Sequence, residues 1–277
     1  MRAPEFWQRG GVVPALLAPV AWGFDLAGQA RRLAVRPRRA PVPVVCIGNL
    51  VAGGAGKTPV ALAVGARLRE LGRGVHFLTR GYGGRAHGPL RVDPARHDAG
   101  DVGDEALLLA TAAPTWVARD RPAGAFAAAH AGAEVVVMDD GFQNPALAKD
   151  LSLVVVDGAY GLGNARVIPA GPLREEATRG LARAEAVVLV GDDVAGLVPR
   201  LADSGVTLLR AALEPTPESM RLAGKAVLAF AGIGRPEKMF ATLSAMGCRM
   251  VGRIAFPDHH RYTPDQIMTI VEEAAAK

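Results

Sequence analysis

Val42-Pro43-Val44-Val45-Cys46-Ile47 runs through Gly48-Asn49-Leu50-Val51-Ala52 into Gly53-Gly54-Ala55-Gly56-Lys57-Thr58. The first six residues are apolar and mostly β-branched, as in a strand buried on both faces. A strand that delivers a glycine-rich turn, then Lys-Thr, then a helical pattern is the context of a phosphate loop. Glycines let successive backbone N–H groups converge on one anion, and the following helix adds its positive end. Lys57 is placed to reach β- and γ-phosphates, and the Thr58 hydroxyl to hold Mg²⁺. The spacing is the compact Gly-Gly-x-Gly-Lys-Thr form, because position 51 is Val and not the Gly of the longer pattern. Pro59 falls in the first helical turn, where a missing N–H costs little.

Outward from this loop, short apolar runs alternate with helical patterns. Strands are expected at 75–78, 115–118, 135–138, 153–156 and 187–190, with helices at 105–111 and 124–131 among those between them. This alternation predicts an open, mostly parallel α/β sheet flanked by helices, with ligands at the carboxyl ends of its strands. A break near Glu214-Pro215-Thr216-Pro217-Glu218 sets off a smaller lobe. In it a strand is expected over 225–233, a helix over 236–246, a strand over 249–256 and a last helix opened by Thr263-Pro264-Asp265-Gln266. The expected division is therefore an N-terminal segment 1–33, a phosphate-loop core 34–219 and a smaller α/β lobe 220–277. The chain stops where another β unit is expected, so this lobe reads as incomplete.

Half of the 277 residues are hydrophobic, which excludes a disordered chain. The net charge is +5, and a conspicuous share of the arginines lies in one cluster: Arg31, Arg32, Arg36, Arg38 and Arg39. Cys46 and Cys248 are the two cysteines, and Cys46 reads as a buried thiol in a central strand. Residues 11–24 carry no charge, a run shorter than the ~20 residues of a spanning helix. A signal peptide, a buried helix and an interfacial anchor compete for it. The favoured reading is the anchor, with Trp7, Trp22 and Phe24 in the headgroup region and the arginines on anionic lipid.

Candidate chemistry clusters at strand ends. Asp139 and Asp140 close the strand 134–138, where a nucleotide-using enzyme places the carboxylates of its Mg²⁺ shell. Asp101-Val102-Gly103-Asp104-Glu105 reads either as a helix cap with an acidic first turn or as the source of a base for an acceptor hydroxyl. Thr79-Arg80-Gly81-Tyr82-Gly83-Gly84-Arg85 is a solvated loop or an anion-binding one. In Ile168-Pro169-Ala170-Gly171-Pro172-Leu173-Arg174-Glu175, Arg174 is a candidate to stabilise a transferring phosphate. Asp258-His259-His260 holds too few ligands for a metal site.

In order, these segments resemble the tetraacyldisaccharide 4′-kinase family of lipid A biosynthesis. The matching pieces are Gly48-Asn49-Leu50 with the loop through Pro59, Thr79 to Gly83, Val102 to Glu105, Asp139 to Gln143, Pro169 to Glu175, and Asp258-His259-His260. The resemblance implies transfer of the ATP γ-phosphate to the 4′-hydroxyl of an acylated glucosamine disaccharide 1-phosphate, giving lipid IVA. It implies action at the cytoplasmic face of a bacterial inner membrane, bound to its lipid surface as a peripheral or monotopic protein, with no nucleic acid as partner. The implied nucleotide site is Gly53, Gly54, Ala55, Gly56, Lys57 and Thr58. Thr58, Asp139, Asp140 and Glu175 are implied for the metal, and Lys57, Asp104, His259 and Arg174 for catalysis. A dethiobiotin-synthetase-like ligase gives no reason for the apolar, basic N-terminus. A partitioning-type ATPase commonly has Lys where this chain has Ala52. A GTPase is disfavoured because no Asn-Lys-x-Asp motif is present.

Overall fold

The computed structural model describes residues 4–201, 205–234, 236–257, 260 and 262–276. They form two compact units, Pro4–Ala212 and a smaller one from Leu213.

The larger unit is built on one eight-stranded sheet. Its elements in chain order are α1 (Val12–Ala34), β1 (Val44–Gly48), α2 (Lys57–Glu70), β2 (Val75–Thr79), β3 (Leu90–Arg91), α3 (Ala99–Val102), α4 (Asp104–Ala110), β4 (Thr115–Val117), α5 (Arg121–His130), β5 (Val135–Asp139), β6 (Leu151–Asp157), α6 (Ala177–Leu181), β7 (Ala186–Val190), α7 (Leu197–Leu201) and β8 (Thr207–Ala211). The strand order is β3-β4-β2-β5-β1-β6-β7-β8, parallel throughout except for the short edge pair β3–β4. The five expected strands are all present, and two more, β3 and β8, join the edges.

Burial on both faces explains the continuous apolar runs. Val44, Cys46, Val136, Met138, Val154 and Val187 face one core layer, with Ala125 and Ala128 of α5. Val45, Ile47, Val135, Val137, Val155 and Val188 face the other, with Val60 and Ala61 of α2. β1 lies between β5 and β6, so the loop after it opens at the middle of the sheet. Cys46 sits there fully buried, and loss of solvation pushes its thiol up to about 12.

α1 corrects the expectation of a segment too short to span. The helix continues for 23 residues, through Pro19 and on past the charge-free run into the arginines. Among the described residues it is the one helix long and apolar enough to cross a membrane. Leu16 is 75% exposed and Trp22 70%, with Val12, Val20 and Leu33 also exposed. Trp7 departs from the anchor expectation. Its indole N–H donates to the Pro169 carbonyl at 3.1 Å, so it packs on the larger unit.

The smaller unit pairs β9 (Ala226–Ala231) in parallel with β10 (Arg249–Ala255), with α8 (Pro236–Ala245) between them in sequence and α9 (Pro264–Ala275) after. The expected capping box is present: the Gln266 amide donates to Thr263 Oγ1, and the Thr263 amide to Gln266 Oε1. Asp258 and His259 lie outside the described residues. His260 stacks on Phe256 with ring centroids 4.6 Å apart, and its Nε2 lies 3.0 Å from Gln266 Oε1.

Candidate active site

The loop after β1 takes the shape its glycines allow. Gly53 and Gly56 hold φ of 114° and 89°, a region costly for other residues, and Gly56 caps α2. Ala55 is buried and locks the turn against the core. Lys57 and Thr58 open α2 and are themselves buried, Lys57 with only 8% of its surface exposed. A buried ammonium needs a partner. Lys57 Nζ lies 3.8 Å from Asp140 Oδ1.

The pair ending β5 meets this loop. Thr58 Oγ1 donates to Asp139 Oδ2 at 2.8 Å. Asp139 Oδ1 is buried with no hydrogen-bond partner. Burial raises its carboxyl to about 7, the Glu105 charge adds to this, and Thr58 and Lys57 only partly offset it. A buried carboxylate with an unused oxygen beside a threonine hydroxyl fits a divalent cation. Among the described residues no group of three or more His, Cys, Asp or Glu is placed to hold a metal. Mg²⁺ takes one or two protein carboxylates and completes its shell with phosphates and water, a requirement the Thr58–Asp139 pair fits. Asp140 behaves oppositely. Burial works against its charge, but Lys57 and Arg174 prevail and lower its pKa. Its φ of 52° is unusual for a residue with a side chain, and Asp is one of the few types that tolerate it.

Arg174 Nη1 donates to Asp140 Oδ1 at 2.7 Å. The backbone that carries it is sewn to the phosphate loop: the Ala52 amide donates to the Pro172 carbonyl at 2.8 Å and the Arg174 amide to the Leu50 carbonyl at 2.7 Å. Glu175 meets cations instead of the Thr58–Asp139 pair. It is 1% exposed, with Arg183 Nη2 at 2.5 Å and Arg32 Nη1 at 3.5 Å. Gln143 Nε2 donates to both the Asn49 carbonyl and Glu175 Oε1.

Asp104 is the first residue of α4 and is exposed. Close backbone contact fixes its position. A Cβ on Gly103 would sit 2.4 Å from the Tyr82 carbonyl oxygen, so the Arg80–Gly84 loop can lie directly on Val102–Gly103 only because that residue is Gly. The Arg85 amide donates to Gly100 O and the Ala86 amide to Asp101 O, and Arg85 pairs with Asp101 at 2.6 Å. Two motifs separate in sequence thus form one wall.

The cleft beside these residues has a volume of about 380 Å³. Arg31, Arg80, Arg119, Arg121 and Arg174 line it against Glu105 and Asp140. Five arginines against two carboxylates favour an anionic ligand. Arg119 and Arg121 are the cleft residues that sequence reading missed, and Glu105 was read there only as part of the Asp101–Glu105 stretch. Arg121 is buried, donates to the Ala118 carbonyl, and has no partner for its Nε–H. Burial lowers its pKa to about 10, which leaves it charged at neutral pH. The available signal was position: Asp120-Arg121-Pro122 comes just after the carboxyl end of β4, as Asp139-Asp140 stands at that of β5.

A phosphate loop after the central strand, its threonine on the acid that ends the neighbouring strand, and an arginine-lined cleft define a phosphate-loop phosphotransferase. Residues 13–277 match the family model described as tetraacyldisaccharide-1-P 4′-kinase. The tetraacyldisaccharide 4′-kinase of Rhodospirillum rubrum is 58% identical over 99% of this chain and 84% of its own length. That of Rhodospirillum centenum is 57% identical over 100% and 83%. A solved structure of LpxK from Aquifex aeolicus, an "apo" form in complex with ATP, aligns with a TM-score of 0.74 at 25% identity. The alignment covers 91% of this chain and 85% of that one. The chain belongs to the tetraacyldisaccharide-1-P 4′-kinase family.

Proposed function

We propose that the protein transfers the γ-phosphoryl group of ATP to the 4′-hydroxyl of an acylated glucosamine disaccharide 1-phosphate, giving lipid IVA. The observation that carries this is the convergence of Lys57, Thr58, Asp139, Asp140 and Arg174 at one end of the sheet. Gly53, Gly54, Ala55 and Gly56 cradle the phosphates, and Lys57 neutralises them. Thr58 and Asp139 hold Mg²⁺, with Asp140 beside them, and the cation supplies charge neutralisation at the phosphates. Arg174, now paired to Asp140, turns a planar donor fork to the transferring group.

Asp104 accepts the proton of the 4′-hydroxyl as that oxygen bonds to phosphorus and the bond to the β-phosphate oxygen breaks, releasing ADP. The resemblance adds His259 as the partner of this base, and that residue lies outside the described residues. Glu175, expected on the metal, serves instead to orient Gln143 and Arg174. The acceptor's acyl chains stay in the bilayer, and the exposed apolar faces of α1 bring the enzyme to it. We place the protein at the cytoplasmic face of the inner membrane, with segment 1–33 as its anchor and the unit from Leu213 as a lobe of the same enzyme.

The test is incubation of the purified full chain with ATP, Mg²⁺ and the acylated disaccharide 1-phosphate, with mass detection. A lipid heavier by one phosphate is expected. ATP turnover indifferent to every glycolipid would overturn the proposal.

A further inference from the structure

α1 carries a single carboxylate, and it is buried. Asp25 is 8% exposed on a helix whose other faces present Leu16, Val20, Trp22 and Leu33 outward. Burying a carboxylate is costly unless donors surround it. Asp25 has three: Gln29 Nε2 at 3.0 Å, the Glu176 amide at 3.2 Å and the Arg179 guanidinium. Two of these come from the chain segment that follows Arg174. Pro14, Ala21 and Asp25 are the buried residues of α1, and Arg32 continues their line. Positions 14, 21, 25 and 32 fall on one narrow face of a helix.

Partition into a bilayer needs none of this, since exposed apolar surface alone drives it. What the narrow face grips is the support of Arg174. Asp25 holds Glu176 and Arg179, and Arg32 reaches the neighbouring carboxylate of Glu175 at 3.5 Å. The other Glu175 oxygen takes Gln143 Nε2 at 3.2 Å, and Gln143 Oε1 faces Arg174 Nη1 at 3.4 Å. Arg174 then meets Asp140, and Asp140 meets Lys57. An unbroken series of polar contacts therefore joins the apolar helix to the phosphate loop. Such a series couples two places only if each link has few alternatives. Here the middle link, Glu175, is closed to solvent, so its partners are fixed.

We infer that Asp25 is a positioning residue for phosphoryl transfer, clamping the 175–183 segment to the N-terminal helix so that Arg174 is held on the phosphates. The inference rests on the kinase function proposed above. The enzyme is then fully competent only with α1 docked along this face.

The experiment compares wild type, Asp25→Asn, Arg174→Ala and the double variant, each as the full chain in vesicles holding the acceptor lipid. It reads kcat, ATP affinity by calorimetry, and flotation with the vesicles. Asp25→Asn is expected to float as wild type does while kcat falls about tenfold, the size of coupling carried by such networks. ATP affinity weakens with it. In the Arg174→Ala background the same substitution is expected to change neither quantity further, because its effect runs through Arg174. Losses that multiply in the double variant, or loss of flotation with unchanged kcat per bound enzyme, would overturn the inference. An isosteric Asp25→Asn that leaves kcat and affinity at wild-type values would do the same. If wild type phosphorylates no lipid, the kinase proposal falls, and the affinity arm still decides the role of Asp25.

Discussion

Thr58 Oγ1 donates a hydrogen bond to Asp139 Oδ2, 81 residues further along the chain, at 2.8 Å. This contact joins the loop after β1 to the end of β5 and leaves the second oxygen of a buried carboxylate without a partner. A buried carboxylate in that state costs stability, and such groups cluster at functional sites.

The cost has a pH signature. Burial first, then Glu105, raises Asp139 from 3.8 to about 7, so the folded chain binds this proton more tightly than the unfolded one. The contribution to stability is complete below the unfolded value and is lost as pH rises through about 7. Thermal melting without nucleotide or Mg²⁺ should therefore show Asp139→Asn more stable than wild type at pH 8 and similar to it at low pH. Each kcal/mol recovered raises Tm by about 2–4 °C. Melting profiles of the two proteins that run parallel across this range would contradict the assignment.

Lys57→Ala removes the buried ammonium that faces Asp140. Transfer should fall about 10²–10³-fold, as when a preorganised charge is taken from a transition state. Far-UV circular dichroism should remain that of wild type, since Arg174 still pairs with Asp140. Product formation near the wild-type rate would show that the phosphates sit elsewhere.

Arg174→Lys keeps the charge and loses the planar fork. Its turnover should stay well below wild type, with ATP affinity changed less than kcat. A fully active Lys variant would mean that charge alone suffices at this position.

Asp104→Asn should slow turnover by about 10²-fold or more, the range for loss of a general base, with ATP affinity little altered. Weaker nucleotide binding at an unchanged kcat would remove the base and leave Asp104 as a first-turn carboxylate of α4.

Leu16→Glu combined with Trp22→Glu places charge on the exposed face of α1 without touching its docked face. Burial of each such side chain is worth about 1.5–3 kcal/mol, so vesicle affinity should drop by more than tenfold while Tm holds. Unchanged flotation would show that this helix does not meet the membrane.

Much of this was legible in the residues because it is local. A β-branched run ending in Gly-Gly-Ala-Gly-Lys-Thr specifies strand, turn and helix within seventeen positions, 42–58. The acid pair at 139–140 and the capping box at 263–266 are equally local. What stayed hidden depends on distant partners. Arg121 is marked by its position after an expected strand, but it joins the cleft because β4 lies next to β2 in the sheet, and that strand order depends on distant partners. Glu175 looked like a metal ligand until Arg32 and Arg183 took its charge. The length of α1 escaped because its second half is secured by Asp25 and Arg32 on the larger unit and not by hydropathy.

The central claim is met most directly by following the γ-phosphate itself. Wild type and Lys57→Ala are given γ-labelled ATP, Mg²⁺ and the acylated disaccharide 1-phosphate in vesicles, and the lipid is mapped by mass fragmentation. The account predicts label on the 4′ position, one ADP for each phosphate transferred, and a near-blank Lys57→Ala lane. Label released only as inorganic phosphate, or equal transfer by both proteins, would contradict it.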